Sequence, residues 1–394
     1  MIFLGPMYQA RKEEELLALL RHGISNAPNQ YQSDLIAGFI ANDVKPTVIN
    51  VLPVGTWPRS FRKPILHSET WTLEDQMCYE VGSVNLPVIK QWQREVRVKK
   101  LLRRLIREDQ EVVVYSAYLP FLRAVQKLPK SVNVTLIVTD LPEYYDFGKV
   151  SALRRILRKM NNAMISRAIS RVDRYVLLTE QMAAKMGVQN KPYTIVEGIW
   201  NERLPGGKQR IAERQDEKKR IFYAGTLHRG FGVLLLLDAF ALMKDENLEL
   251  WLCGIGDTVD IIEQRAASDK RIRYFGYVSS REVDELRKEA SLLVNPRTNE
   301  GEYTKYSFPS KTMGYLASGI PTAMYKLDGI PDDYDRYLNY LSATTAEALA
   351  EELQKLLSTY SEMREKAQLG RQYILDMKNS KVQAGKILDM MDHS

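Results

Sequence analysis

"RIFYAGTLHRGFGVLLLLDAFALM", residues 220–243, moves from an apolar run through glycines into a helix. The run 220–225 suits a strand covered on both faces, because its apolar residues are nearly continuous rather than alternating. Gly225, Gly230 and Gly232 interrupt it, and 231–243 is apolar throughout except for Asp238, so it reads as a buried helix. A buried strand turning directly into a buried helix is the repeating unit of parallel α/β sheets.

The same alternation extends in both directions. Before this stretch, strands are expected at 47–52, 111–116, 134–140, 173–179 and 193–198, and "MIFLGPM" at 1–7 supplies a short apolar one. After it, they are expected at 248–254, 271–278, 290–296 and 321–326, each followed by a helical pattern or a Gly/Pro turn. Between the two series, 201–219 is polar, Gly-bearing and highly charged, the composition of a linker. The expected architecture is two Rossmann-like doubly wound domains facing a central cleft, 1–200 and 220–378. Residues 345–360 and 361–378 are helical, and 379–394 forms a last helix expected to pack back on the first domain.

Bulk properties exclude several classes. The 394 residues are 45% hydrophobic and 27% charged, a globular rather than disordered balance. No apolar run reaches the roughly 18 residues of a spanning helix, and the N-terminus has neither the basic flank nor the cleavage site of a secretion signal. Two cysteines, Cys78 and Cys253, make no disulfide framework, and no clustered Asp/Glu or His pattern suggests a metal. A cytoplasmic protein is expected.

The net charge of +7 is unevenly placed. Residues 90–107 and 149–174 each carry eight Lys/Arg and one acid, so each sums to +7 and the remainder to −7. In the second segment Val150, Leu153, Leu157, Met160 and Met164 share a helical face with Arg154, Arg155, Arg158 and Lys159 beside it. A basic amphipathic helix suits an anionic membrane surface or a lipid-diphosphate ligand; the alternative is a core-facing helix with a solvated back. Nucleic acid is not expected, since no recognition motif or aromatic interleaving accompanies the charge.

Ligands of open α/β sheets sit beyond the carboxyl ends of the strands. Three ends stand out: "GTLHRGFG" (225–232), "NPRTNEGEYTKYSFPSK" (295–311) and Asp140. In the last part of the second, Pro309 opens a helix with Ser310, Lys311 and Thr312 in its first turn. Such a helix start offers free amides and a positive dipole end to a phosphate; the alternative is a capped helix with an exposed Lys. Gly225 and Gly230 could let a diphosphate approach with Arg229 pairing to it, or could form only a tight turn. Gly314, inside the helix, is a hole that costs about 1 kcal/mol relative to Ala.

"YAGTLHRGFGVLLLLDAF", "LELWLCGIGD", "RIRYFGYVSSREVDELRKEASLLVNPR" and "SFPSKTMGYLASGIP" resemble, in order and spacing, the bacterial glycosyltransferases of family 4, most closely the capsule and exopolysaccharide branch. The resemblance covers 220 to about 345 and is loose before that, through "LIVTDLPEYY", "LLTEQM" and "IVEGIW". It implies the GT-B fold, a nucleotide-sugar donor (a UDP-sugar first), no cofactor, no metal, and transfer of a hexose to a lipid-linked or polysaccharide acceptor with retention. It implies donor contacts at Gly225, Arg297, Ser310, Lys311, Thr312 and Gly314; the family's usual Arg and Lys after the first strand fall on Thr226 and Phe231, neither basic, with Arg229 and His228 close by as candidate substitutes. Two Glu that the family spaces eight apart fall on Tyr306 and Gly314, neither a carboxylate, and Glu302 in a lengthened loop is the candidate replacement for the first. Asp140 stands where the family often places a His near the reacting sugar; it could orient or deprotonate the acceptor, or simply cap a turn. The enzyme so implied lies on the inner face of the membrane through 90–107 and 149–174. The rival expectation is a catalytically impaired GT-B protein serving as partner of an active transferase; a nucleotide-sugar epimerase lacks its acids and His here.

Overall fold

A computed structural model describes residues 1–21, 26–141, 152–201 and 218–393, with the backbone alone for 152–158 and 280. Most of the expected linker 201–219 and the start of the segment 149–174 lie outside the described residues. The chain forms two compact units, Met1–Ile199 with Ser380–Ser394, and Trp200–Asn379.

The first unit holds an eight-stranded sheet in the order Tyr193–Ile195, Arg174–Leu177, Val134–Val138, Val112–Tyr115, Ile2–Pro6, Thr47–Val51, Gln76–Glu80, Glu69–Leu73. Every neighbouring pair is parallel except the last, an antiparallel hairpin. All four residues of Val112–Tyr115 and all five of Val134–Val138 are buried, as strands with helices on both faces must be. The hairpin, the strand Asn339–Leu341 in the second unit and a two-stranded sheet of Ile65–Leu66 with Ser83–Val84 were not among the expected strands.

The helix Leu119–Val125 packs against both Ile89–Leu105 and Ala152–Ile169. Arg123 ties them, reaching Glu95 at 3.3 Å and Met164 Sδ at 3.1 Å. Elsewhere in the unit, the helix Ser380–Asp392 packs against Ala27–Ala41. Ala384, Ile387 and Met391 join Leu35, Ile36 and Phe39 in one buried cluster. The approach is backbone-close, because a Cβ on Gly38 would stand 2.1 Å from the Ser380 carbonyl oxygen. Arg174 Nη2 donates to Met391 O at 2.9 Å.

The second unit is a six-stranded, wholly parallel sheet ordered Ile272–Tyr274, Leu248–Cys253, Lys219–Ala224, Leu292–Asn295, Thr322–Tyr325, Asn339–Leu341. In chain order that is 3-2-1-4-5-6, the doubly wound arrangement. The order reverses between Lys219–Ala224 and Leu292–Asn295, which places a crevice beyond the carboxyl ends of those two strands. The helix Val233–Leu242 buries Val233, Leu236, Leu237, Ala239 and Phe240 and packs with Ala346–Ser358 in the main core. The helix Lys311–Ser318 packs on Tyr360–Met377.

Candidate functional site

Three loops meet at the switch point of the second sheet. The first follows Lys219–Ala224. Gly225 has φ +157 and serves a close approach, since a Cβ there would stand 2.2 Å from Lys311 Cε and 2.3 Å from Lys311 Nζ. The end of the lysine side chain therefore occupies the space a Cβ at position 225 would take, and its ammonium sits 5.2 Å from the centre of the Tyr223 ring. The Tyr223 hydroxyl donates to Thr226 O at 3.0 Å, fixing the turn. Among the described residues no hydrogen bond or ion pair engages the Lys311 ammonium. Burial first, and the nearby Arg297 charge second, lower its pKa from the usual 10.5 to about 8.

The second loop follows Leu292–Asn295 and brings Arg297. Its guanidinium carbon lies 5.2 Å from the centre of the Phe231 ring and 4.8 Å from that of Tyr303. Nη2 donates to Ser307 Oγ at 3.3 Å, while the buried Nε has no partner among the described residues. Two cations thus stand at the carboxyl ends of neighbouring strands, each against an aromatic face. Glu302 opens the 3₁₀ turn Glu302–Tyr306, and the Tyr306 hydroxyl donates to its Oε1 at 3.0 Å. A carboxylate therefore meets position 306 from four residues upstream.

The third loop, after Leu248–Cys253, supplies Asp257. It accepts the Arg229 amide at 2.9 Å and lies 3.6 Å from His228 Nε2 and 4.0 Å from Arg229 Nε. The exposed Arg229 side chain is thus drawn toward an acid rather than left for a ligand alone. Thr226 is exposed beside it.

The helix Lys311–Ser318 departs from its expected role in two places. Ser310 is exposed at its start, but Thr312 is buried, with its hydroxyl against Met324 Sδ at 3.8 Å and its amide donating to Pro309 O at 2.9 Å. The Thr312 side chain and amide thus face the core and the turn. The hole at Gly314 is filled from outside the helix: a Cβ there would stand 2.6 Å from Arg287 Nη1 and 3.4 Å from the Trp200 ring. Arg287 is paired with Asp284. Asp140 belongs to the first unit, exposed just past Val134–Val138, and accepts from Thr139 Oγ1 at 3.4 Å.

Of the expected residues, the structure brings together Gly225, Arg297 and Lys311, places Thr226, Arg229, Glu302 and Ser310 around them on the same loops, and turns Thr312 and Gly314 elsewhere. Phe231, Tyr303, Ser307 and Asp257 complete the constellation; no spacing rule signals an aromatic pair that grips an arginine. The basic segment 90–107 is also less exposed than its charge suggests. Lys90 is buried and donates to the Val54 and Gly55 carbonyls, Arg94 Nη2 donates to Leu52 O at 2.7 Å, and Arg97 to Gly82 O at 2.8 Å.

Residues 218–359 match the family model described as glycosyl transferases group 1. Sucrose-phosphate synthase from Thermosynechococcus elongatus is similar over 100% of this chain and 98% of its own, with a TM-score of 0.69 at 12% identity. The fold is that of the GT-B glycosyltransferases. The lipopolysaccharide outer core galactosyltransferase WaaB, in its apo form, shares the GT-B arrangement with a TM-score of 0.60 and 11% identity over 99% and 98% of the two chains. HepE of Anabaena, in complex with UDP, does so with 0.63 and 10% over the whole of both. No curated protein matches the sequence. Family model and GT-B fold together support sugar transfer.

Proposed function

We propose that this protein transfers a hexose from a nucleoside-diphosphate donor, a UDP-sugar first, to a lipid-linked or polysaccharide acceptor in cell-surface polysaccharide synthesis. One observation carries the reading. Lys311 is held against Gly225 and a tyrosine ring with no anionic partner among the described residues, beside a second cation, at the crevice of a doubly wound sheet. Such a charge is costly to bury alone, and a diphosphate would offset that cost.

In this reading Lys311 and Arg297 hold the donor diphosphate. As the bond from the anomeric carbon to the phosphate oxygen breaks, the leaving group gains charge, and these fixed cations stabilise it without rearranging. We read the transfer as retaining and metal-independent, with the two side chains supplying the positive charge. Glu302, fixed by Tyr306, is our candidate for the carboxylate at the donor sugar. Asp140 is our candidate for the group that receives the acceptor hydroxyl's proton. A site of action on the cytoplasmic face of the membrane belongs to the same proposal.

The second reading, an impaired GT-B protein partnering an active transferase, draws on Gly314. The position that the family resemblance gives to a ribose-binding Glu is overlaid by Arg287 and Trp200. A thermal-shift panel of UDP, GDP, dTDP, CMP and their sugar conjugates separates the two. A ligand at about 100 times its dissociation constant adds about 2.7 kcal/mol. We expect a midpoint rise of roughly 2–4 °C with one base, lost in Lys311→Ala. No rise with any nucleotide would put the partner reading first. Gly314→Glu then sharpens it: tighter donor binding means the ribose position is still usable, and weaker binding means Arg287 and Trp200 have remodelled it.

A further inference from the structure

The helix Ile89–Leu105 carries on its outer side a stripe that changes character along its length. At 3.6 residues per turn, Ile89, Trp92 and Val96 fall on the same face as Lys99, Lys100 and Arg103, and Val88 stands just before the first turn. Val88 is 79% exposed, Trp92 62%, Val96 47% and Ile89 42%. The opposite side buries Lys90, Arg94, Val98 and Leu102, so the stripe is not a core face waiting for the sheet. It is apolar in its first two turns and cationic in its last.

The start of the stripe is also strained. Val88 has φ +64 and ψ −57, and the Ile89 amide donates to Pro87 O at 2.7 Å, which makes Val88 the centre of a γ-turn of the rare, positive-φ kind. A β-branched residue held there is an outlier of the sort found where function imposes it. The turn sets an apolar side chain at the very tip of the helix. Among the described residues, no ion pair engages Lys99, Lys100 or Arg103.

An occupant must take four apolar side chains and three unpaired cations along one line. Nucleic acid or an acidic polymer would satisfy the cations and leave Trp92 and Val88 in water. A second copy of the stripe, laid parallel, would set like charges together, and laid antiparallel would set cations on the aliphatic Val88, Ile89 and Val96. A bilayer with anionic headgroups satisfies both halves, with the apolar turns in the acyl boundary and the cations at the phosphates.

We infer that Val88, Ile89, Trp92 and Val96 form a wedge that enters an anionic membrane, with Lys99, Lys100 and Arg103 anchoring it at the headgroups. This goes beyond a basic surface resting on lipid, because the apolar tip and not the charge supplies the insertion. It suits the lipid-linked acceptor proposed above, yet its test needs no donor and no catalysis.

The full chain is sedimented with vesicles of equal parts phosphatidylcholine and phosphatidylglycerol, and with phosphatidylcholine alone. Binding to the mixed vesicles is expected, with Trp92 emission shifting to the blue and that shift absent in Trp92→Phe. Replacing Trp92 and Val96 together by Ser lowers partitioning about tenfold or more. Replacing the three cations by Gln removes the preference for the anionic vesicles, at about fivefold per cation. Both variants retain the parent's thermal midpoint, since these side chains are on the outside. Equal partitioning of parent and Trp92/Val96 variant overturns the wedge, as does absence of vesicle binding. A dimer in solution that Trp92→Ser dissolves also overturns it, by making the stripe a contact between copies. Loss of the nucleotide-induced shift in the parent would instead strike the donor reading and leave the wedge standing.

Discussion

Lys90 and the half-buried Lys311 both stand away from bulk water, and they differ in what surrounds the ammonium. Lys90, on the first helix of the basic segment, donates to the Val54 and Gly55 carbonyls; burial and then Arg94 lower its pKa to about 7. Lys311, at the crevice of the second sheet, has a pKa lowered to about 8 and, among the described residues, a tyrosine face and the Arg297 charge near it but no hydrogen-bond acceptor. The depressed pKa alone does not separate them. The hydrogen bonds do: Lys90 spends its protons on backbone acceptors of its own unit, whereas Lys311 is held ready and unspent. A buried cation that is satisfied reads as structure, and one that is positioned but unsatisfied reads as a ligand site.

The contrast breaks first at Lys311. Lys311→Ala is expected to lower sugar transfer about 10²–10³-fold, the usual loss when one fixed donor to a developing anion is removed, with the urea midpoint no lower than the parent's. Its pH behaviour follows from the direction of the shift. Folding lowers this lysine from 10.5 to about 8, so between those values the unfolded chain binds a proton that the folded chain has released. Stability therefore rises with pH across that window, while donor affinity falls above about 8. Lys311→Met should reduce the rise to the part that Lys90, lowered to about 7, contributes over the same window; an unchanged pH–stability curve would mean the ammonium already has a partner. Lys90→Ala should do the reverse of Lys311→Ala. It strands two carbonyls, costs about 1–3 kcal/mol by urea unfolding, and leaves the dissociation constant of the donor unchanged.

Smaller effects sharpen the site. Arg297→Lys keeps the charge but loses the planar group gripped by Phe231 and Tyr303, and donor affinity by calorimetry should fall about tenfold. Tyr306→Phe frees Glu302 from its hydroxyl, a change worth about 0.5–1.5 kcal/mol, so kcat should drop several-fold with little effect on nucleotide binding alone. If Tyr306→Phe leaves kcat untouched, Glu302 is a surface charge.

The parallel strands were legible because their residues are buried on both faces and hence apolar without interruption, as in Val112–Tyr115 and Leu248–Cys253. The edge hairpin was not. "ETWTL" and "QMCYE" alternate in burial and their turn is Glu74–Asp75, both at positive φ, in place of the Asn-Gly pair that marks such turns. Lys311 was legible from its place after Pro309 at a helix start. What fills Gly314 was not, because Arg287 and Trp200 arrive from far away in the chain. Charge counting likewise gave 90–107 to a surface, although Lys90 and Arg94, one helical turn apart, both turn inward to carbonyls.

The helix Ser380–Asp392 has a consequence for the order in which this protein is made. The core of the first unit includes Ala384, Ile387 and Met391, and these are synthesised only after the whole of Trp200–Asn379 has been translated. The first unit to emerge from the ribosome is thus the second to be completed: the later sheet has all its strands in hand while the earlier sheet still lacks a helix across its core. A nascent chain paused before residue 380 would carry one finished unit and one exposed apolar face, the state in which a chaperone has most to hold.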